Sequence, residues 1–448
     1  MGEHPITSLT GDALSAHDIA ANFADLHPPL NGEQVSVQAS RCLFCYDAPC
    51  VTACPTAIDI PKFIRQIATR NITGAARTIL SANIMGGTCA RACPTEILCE
   101  QKCVLNSGED EPVQIGHLQR HAVDALMARN GPHPFARAAQ TGKSIAIIGA
   151  GPAGLACAHD LAMRGHAVTI FEARPKPGGL NEYGLAAYKM AGGFAAREVD
   201  FILGIGGINI EYGKALGRDL ALDDLRSRFD AVFLGVGLGQ PRRLGIAGED
   251  LEGVENALGF IERIRQAPDV TAIDPGQMAV VIGGGNTAID AAVQAKRLGA
   301  ASVTLAYRRG PEQMGATGWE QDLAATNGVT MVHWASPVAF AGDGKVHEVH
   351  LERTHLVDGA LKGTGAQFTL PADRVYVAIG QHLADEGLDG LTMAHGKIAV
   401  DENNQTSLPG VIAGGDCIRS GEDLTVQAVA DGKAAAAGIA AFMEAQNG

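Results

Sequence analysis

No stretch of this 448-residue chain approaches the ~18 uninterrupted apolar residues that a bilayer span needs, so the sequence predicts no membrane protein. The opening residues, MGEHPITSLTGDALSAHD, lack the apolar core of a secretory signal, and a cytoplasmic location is expected. Positive charge is in deficit. Lys and Arg number 35 against 49 Asp and Glu, and the formal net charge of -14 makes nucleic acid an unexpected partner. A disulfide framework is missing too, because eight of the ten cysteines crowd into residues 42–103 and only Cys157 and Cys417 lie elsewhere. Such local crowding in a reducing compartment points to metal or cluster binding. Neither Cys157 nor Cys417 has a C-x-x-C neighbour, so no redox dithiol is expected, and both read as packed small hydrophobes.

What is present is enough chain for about three domains, and an abundance of glycine: 56 residues, gathered in loops such as GAGPAG, GGGN and GGD where a backbone approaches a ligand. Residues 1–40 read as a mostly helical lead-in, broken at His27-Pro28-Pro29. Between the cysteines, Phe63, Ile64, Ile67, Ala68, Ala75, Ala76, Ile79 and Leu80 repeat at helical spacing, so this region is expected to be small and helical. NGPHPFARAAQTGKS then reads as a linker. Beyond it stand two strand, glycine-loop, helix, strand units, Ser144 to Glu172 and Met278 to Tyr307, and the chain later returns through RVYVAIGQ to GVIAGGDC. That order predicts one dinucleotide domain inserted into another.

The first loop, Gly149-Ala150-Gly151-Pro152-Ala153-Gly154, follows the strand SIAII and opens a helix. Gly149 serves the tight turn, Gly151 lets the backbone approach a pyrophosphate, Gly154 allows close packing, and the helix N-terminus supplies positive potential. Glu172, at the end of the next strand, is placed to accept from ribose hydroxyls. In the second loop, Gly283-Gly284-Gly285-Asn286-Thr287-Ala288, alanine takes the third glycine position, which the fingerprint tolerates. Its second strand ends in Arg308-Arg309 instead of an acid. These arginines suit a 2′-phosphate and lean towards NADP, unless they form an exposed charged turn. Near the C-terminus, Gly414-Gly415-Asp416 ends a strand where Asp416 would meet a flavin's ribityl chain, unless it is a simple turn aspartate. The last helix, from Thr425 through Gln427 to Ala430 and beyond, would aim its N-terminus at the flavin ring.

The cysteines run Cys42-x2-Cys45-x4-Cys50-x3-Cys54-Pro55, then Cys89-x3-Cys93-Pro94-x5-Cys99-x3-Cys103. A Cys-Pro ending also closes the run of two-cluster ferredoxins, where the last cysteine ligates the other cluster. Crossed ligation is therefore expected, with eight thiolates for two cubane clusters on simple arithmetic. Two structural zinc sites are the alternative, although zinc usually takes paired C-x2-4-C knuckles.

With these parts in this order, nearly the whole chain resembles the flavin and iron-sulfur subunit of bacterial NAD-dependent dihydropyrimidine dehydrogenase, to which the small subunit of glutamate synthase is a near relative. The closer match is carried by Cys45-Tyr46-Asp47-Ala48-Pro49-Cys50, Cys54-Pro55-Thr56, Asp59-Ile60, Gly74-Ala75-Ala76 and Ile115-Gly116-His117-Leu118-Gln119. The resemblance implies one 4Fe-4S cluster on Cys42, Cys45, Cys50 and Cys103, and a second on Cys54, Cys93, Cys99 and the amide oxygen of Gln119, leaving Cys89 a bystander. It implies FAD on Gly149, Gly151, Gly154, Glu172, Gly179, Leu180, Lys189 and Asp416, with Lys189 standing where an arginine is expected in the animal enzymes. It places the nicotinamide cofactor on Gly283 to Thr287 and Arg308, and favours NADH.

The expected fold is α/β with an N-terminal all-α iron-sulfur domain and two Rossmann-like domains, the NAD(P) domain inserted into the FAD domain. The expected boundaries are 1–140 for the two clusters, 141–240 and 381–448 for FAD, and 241–380 for NAD(P). By resemblance the chain oxidises NAD(P)H at FAD. Electrons then pass through two 4Fe-4S clusters to an FMN and iron-sulfur partner that reduces uracil or thymine, in a heterotetramer of two plus two. No pyrimidine site or acid cysteine for that last step is visible, so no catalytic side chain is assigned here. The alternatives are the glutamate synthase small subunit and, from another class, a zinc-stabilised redox sensor.

Overall fold

A computed structural model describes residues 14–108, 111–129, 131–419 and 423–446. Its contacts divide the chain into two compact units: His27–Glu182 with Gly192–Gln240 and His382–Gly448, and the described part of Met1–Leu26 with Tyr183–Ala191 and Pro241–Gln381.

The first unit opens with helices. Asn31, Asp59 and Asn71 cap Gly32–Ser40, Ile60–Ala68 and Ile72–Ala82 by accepting a backbone N–H with their side chains. The helical periodicity seen across 60–80 thus belongs to two helices. Arg70 adopts a positive φ of 61°, and Asn71 starts the second helix by taking the N–H of Gly74. Phe63, Ile64, Ala75, Ala76 and Ile79 are fully buried, as are Leu118 and Ala122 of the helix Ile115–Met127. The expected linker is tied down: Ala138 donates to the Met163 carbonyl, Thr141 to that of Gly165, and the Arg137 guanidinium to Ala162 and His166.

A five-stranded parallel sheet follows, in the order Val411–Ala413, Ala231–Leu234, Ser144–Ile148, Ala167–Glu172, Ile208–Tyr212. Its strands are apolar because helices cover both faces of such sheets. One continuous core joins Ile64 and Leu118 of the helical segment to Ile145, Leu155 and Ile439 around the sheet. The helical part therefore shares its core with the flavin-type fold.

In the second unit the parallel order is Val254–Asn256, Arg374–Ala378, Met278–Gly283, Ser302–Tyr307, Thr330–His333. An antiparallel sheet of Ala335–Asp343, Lys345–Val357 and Ala360–Pro371 adjoins it. The whole of this parallel sheet lies in the chain between Ala231–Leu234 and Val411–Ala413 of the other, as an inserted domain requires.

Two short segments depart from the expected boundaries. The helix Ala16–Asn22, fixed by a Ser15–Asp18 capping box, buries Ile19 beside Tyr188, Phe260 and Ile289, and Asn22 exchanges hydrogen bonds with Arg297. Residues 14–26 therefore pack with the nicotinamide-type unit and not with the iron-sulfur segment; residues 1–13 lie outside the described residues. Residues 183–191 join the same unit through Tyr188, which is fully buried. Apolar side chains in both segments find their burial there, which spacing along the chain does not reveal.

Candidate functional site

In the first unit the glycine loop leads from Ser144–Ile148 into Pro152–Met163. A Cβ on Gly154 would lie 2.0 Å from the Gly149 carbonyl oxygen, so this helix approaches its strand as closely as the fingerprint demands. Gly151 is the N-cap, Pro152 opens the first turn, Ala153 follows, and no side chain caps the end. Its free N–H groups remain available to a phosphate. Glu172 is buried and already receives the N–H of Ala150 at 2.7 Å and of Arg174 at 2.8 Å. Burial nonetheless pushes its carboxyl up from the usual range. A carboxylate accepts about four hydrogen bonds, so capacity for a ribose hydroxyl is left.

The C-terminal segment returns to the same loop. A Cβ on Gly415 would meet that of Ala153 at 2.9 Å, and one on Gly432 would meet the Ala153 carbonyl oxygen at 2.2 Å, which sets the closeness of the helix Thr425–Ala445. Asp431, which sequence reasoning missed inside an apolar helix, accepts from the Gly415 N–H at 3.0 Å and from Gln427 at 2.8 Å. Asp416 is half-buried and its carboxyl is pushed up to about 6, mainly by burial, with Asp423 adding and Lys397 opposing. Gly179, at φ 55°, faces Gly151, while Leu180 is exposed. Thr425 Oγ1 donates to Asn181 at 2.8 Å, and the Asn181 amide reaches Met85 Sδ at 4.0 Å. Asn181 is a second residue the sequence reading overlooked: a polar side chain after a glycine pair carries no signal of burial.

Lys189 is placed elsewhere. It lies in the second unit, where its ammonium is 2.8 Å from Asp290 and also pairs with Glu320, all three being buried. Two carboxylates claim the charge, so the flavin contact expected by resemblance has no support here.

The cysteines sort into two sets within the first unit. Cys42, Cys45, Cys50 and Cys103 line one concavity together with Ile60 and Ile64, and Cys42 lies within electrostatic reach of the other three. Cys54, Cys93 and Cys99 form the other set, with Cys89 hydrogen-bonded to Cys93, and Cys99 also lies within electrostatic reach of Cys50 of the first set. Ligands from both halves of the motif thus cross, as the Cys-Pro pattern predicts.

Among the described residues no three His, Cys, Asp or Glu side chains converge tightly enough for a single ion, whose tetrahedral thiolates would stand roughly 3.8 Å apart. The hydrogen bond with Cys89, and then burial, raises the thiol of Cys93, and burial raises that of Cys99, so bare thiolates would be costly there without a cationic centre. Gln119, also buried, donates its amide nitrogen to the Gly86 carbonyl at 2.7 Å, and its amide oxygen makes no hydrogen bond among the described residues. Cys89 is engaged by Asn83 at 3.2 Å. Cys157 and Cys417 are buried apart from any other cysteine set.

In the second unit Gly285 caps the helix Asn286–Arg297, again without a side-chain cap. The Tyr307 ring covers Gly284, where a Cβ would come within 2.4 Å. Gly283 takes a φ of 154°, and Thr287 lies in the first helical turn. Asn286 Oδ1 is buried with no hydrogen-bond partner among the described residues, an atom awaiting a donor of the kind a dinucleotide carries. Arg308 is exposed and Arg309 half-buried. Their carbonyls accept from Thr354 and Trp334, and neither guanidinium is paired among the described residues.

Comparison with known proteins agrees with this geometry. Residues 19–131 match the family described as dihydropyrimidine dehydrogenase domain II, 4Fe-4S cluster, and 143–432 match pyridine nucleotide-disulphide oxidoreductase. The small chain of Escherichia coli glutamate synthase [NADPH] is 36% identical, over 94% of both chains. The E. coli NAD-dependent dihydropyrimidine dehydrogenase subunit PreT is also 36% identical, over 94% of this chain and 98% of its own. Among solved structures, Mycobacterium tuberculosis FprA in complex with NADPH gives a TM-score of 0.58 at 23% identity, covering 68% of this chain and 85% of that one, and shares the fold.

Among the described residues no helix is long and apolar enough to cross a membrane. Iron-sulfur, flavin and nicotinamide parts thus occur together, and the chain belongs to the pyridine nucleotide-disulphide oxidoreductase family, in the group with an N-terminal 4Fe-4S domain, as an NAD(P)H-dependent flavin and iron-sulfur oxidoreductase.

Proposed function

We propose that this chain is the electron-input subunit of a dihydropyrimidine dehydrogenase, working with an FMN and iron-sulfur subunit that reduces uracil or thymine, two copies of each. The observation that carries the reading is the crossed sorting of cysteines into two sets within the same compact unit as the uncapped glycine-loop helix. When bound, FAD supplies hydride acceptance from NAD(P)H, and iron-sulfur centres supply one-electron transfer.

The residues of the chain bind and orient. Pro152–Met163 presents its N–H groups to the FAD pyrophosphate, and Glu172 holds the ribose beside them. Asp416 and Gly415, steadied by Asp431, face the ribityl chain, and the N-terminus of Thr425–Ala445 favours negative charge on the reduced ring. Cys42, Cys45, Cys50 and Cys103 hold one 4Fe-4S centre. Cys54, Cys93, Cys99 and the Gln119 oxygen hold the other, the amide being turned for this by its bond to Gly86. Gly283 to Thr287 seat the nicotinamide dinucleotide, with NADH the favoured form.

Reconstitution with each candidate partner tests the reading. Uracil-dependent NADH oxidation is expected with the pyrimidine-reducing subunit, and turnover only of glutamine plus 2-oxoglutarate, with a glutamate synthase large subunit, would overturn it. That second assignment is favoured by the equal identity to the glutamate synthase small chain and by the unpaired Arg308 and Arg309. Gln119 opposes it, because it belongs to the Ile115-Gly116-His117-Leu118-Gln119 run that carries the closer resemblance to dihydropyrimidine dehydrogenase.

A further inference from the structure

Glu198 is the most deeply buried carboxyl of the first unit, and the reading above gives it no task. It lies on the helix Phe194–Leu203 with no exposed surface, and its oxygens meet the first turn of Gly86–Ala92, the helix that leads into Cys93. Oε1 accepts the N–H of Gly87 and of Thr88, each at 2.9 Å, and Oε2 pairs with the Thr88 hydroxyl. The site is built to this shape: a Cβ on Gly87 would lie 2.8 Å from Oε1 and 2.3 Å from the Phe194 ring.

The Thr88 hydroxyl is what makes the arrangement reversible. A hydroxyl both donates and accepts, so it donates to Oε2 of the carboxylate and accepts from Oε2–H of the acid. Both protonation states are housed without moving a backbone atom.

We propose that Glu198 is the proton-accepting partner of the redox centre held by Cys54, Cys93 and Cys99, taking up a proton when an electron arrives there. The inference rests on the proposed cluster assignment. For each electron delivered from NAD(P)H, the buried interior gains one negative charge; one proton from solvent bonds to Glu198 Oε2, and no other bond forms or breaks. An unscreened charge in so dry a setting is expensive, and Glu198 is a fully buried acid with no cationic side chain bonded to it, against the first turn of the helix that leads into Cys93.

Its surroundings leave it poised. Burial pushes its carboxyl up to about 7, against the hydrogen bonds from Thr88 and Gly87 and the nearby Arg91. Two helices pack against Phe194–Leu203. From Gly86–Ala92 comes Arg91, which is already paired with Asp124, itself shared with Arg120. From Pro152–Met163 come His159, held neutral with its pKa near 3 by burial, and Asp160, paired with Arg164. On its own helix Arg197 reaches the Gly192 carbonyl.

The test is a redox titration of the whole chain at several pH values, followed by electron paramagnetic resonance, with iron and sulfide measured on the same samples. The wild-type midpoint should fall as pH rises between about 6 and 8, and reduction should bring up the carbonyl stretch of a protonated carboxylic acid in infrared difference spectra. In E198Q, which keeps an acceptor for Gly87 and Thr88, the pH slope and that band should both be lost. T88V keeps Glu198 but removes the hydroxyl that steadies its carboxylate, so its break should move to higher pH. A slope unchanged in E198Q, or a T88V break at the wild-type pH, overturns the inference while iron and sulfide stand. Wild-type protein lacking iron and sulfide overturns the cluster assignment, and this inference with it.

Discussion

A single carboxylate, lysine or glycine decides more here than its frequency suggests. Gly154 was legible as the third glycine of a fingerprint, and its reason is now geometric: with the Gly149 oxygen 2.0 Å from where a Cβ would stand, G154A must force strand and helix apart. A strain of about 1–3 kcal/mol in that loop should weaken flavin binding by about fivefold to a hundredfold or more, read as visible absorbance against protein. Lys189 was legible only as a possible flavin contact, because a basic side chain in sequence gives no hint of two acids brought from residues 290 and 320. K189M leaves those carboxylates buried without their cation, and a loss of about 3–5 kcal/mol is expected in thermal or denaturant unfolding.

Glu198 gives a pH effect of definite sign. Its folded pKa lies above the ordinary glutamate value, so the acid form is the one the fold favours, and the stability it brings is present below pH 4.5 and lost as pH rises through about 7. Wild-type Tm should therefore fall relative to that of E198Q between pH 5 and 8; parallel curves would show that the carboxyl does not titrate there.

Among the elements, strands and loops of the two dinucleotide units were readable because alternating register, glycine and helix start leave local marks. The cluster helix Gly86–Ala92 was not, being short and without a side-chain cap. The sorting of cysteines was half legible: Cys-Pro endings announced crossing, yet which thiols gather depends on how the helices between them turn. C93S should lose about half of the ~8 irons of a two-cubane protein while keeping flavin, and C89S should keep all of them. A reversed result would make Cys89 the ligand in place of Gln119. At the end of Ser302–Tyr307, a guanidinium contact to a 2′-phosphate is worth about 1.5–3 kcal/mol. R308A should thus raise KM for NADPH by roughly tenfold or more and leave KM for NADH within about twofold, as steady-state assays would register.

For the molecule as a whole, the proposed function assigns pyrimidine reduction to another chain. The isolated protein should reduce artificial acceptors with NADH and show no uracil-dependent oxidation; such oxidation by the chain alone would contradict the division of labour. The relatives' names, a small chain and a subunit, point the same way. Where the chain passes between units, residues 14–26 and 183–191 went unread, since nothing in a short amphipathic segment says which of two cores it will join.

The sequence by itself determined the parts: two glycine loops with their strands and helices, a cysteine block of iron-sulfur type, no bilayer span in its apolar runs, and an acidic balance unsuited to nucleic acid. These follow from local chemistry, where residue type and spacing along a few turns are sufficient. Only the tertiary structure decided that Lys189 answers to Asp290 and Glu320, that Asp431 and Asn181 stand behind the flavin segments, and that Glu198 closes on the cluster helix. Apart from those of Asp431, these are pairings between groups about 100 or more residues apart, selected by the free energy of burying charge and polar groups with partners, a quantity that exists only once the chain has folded.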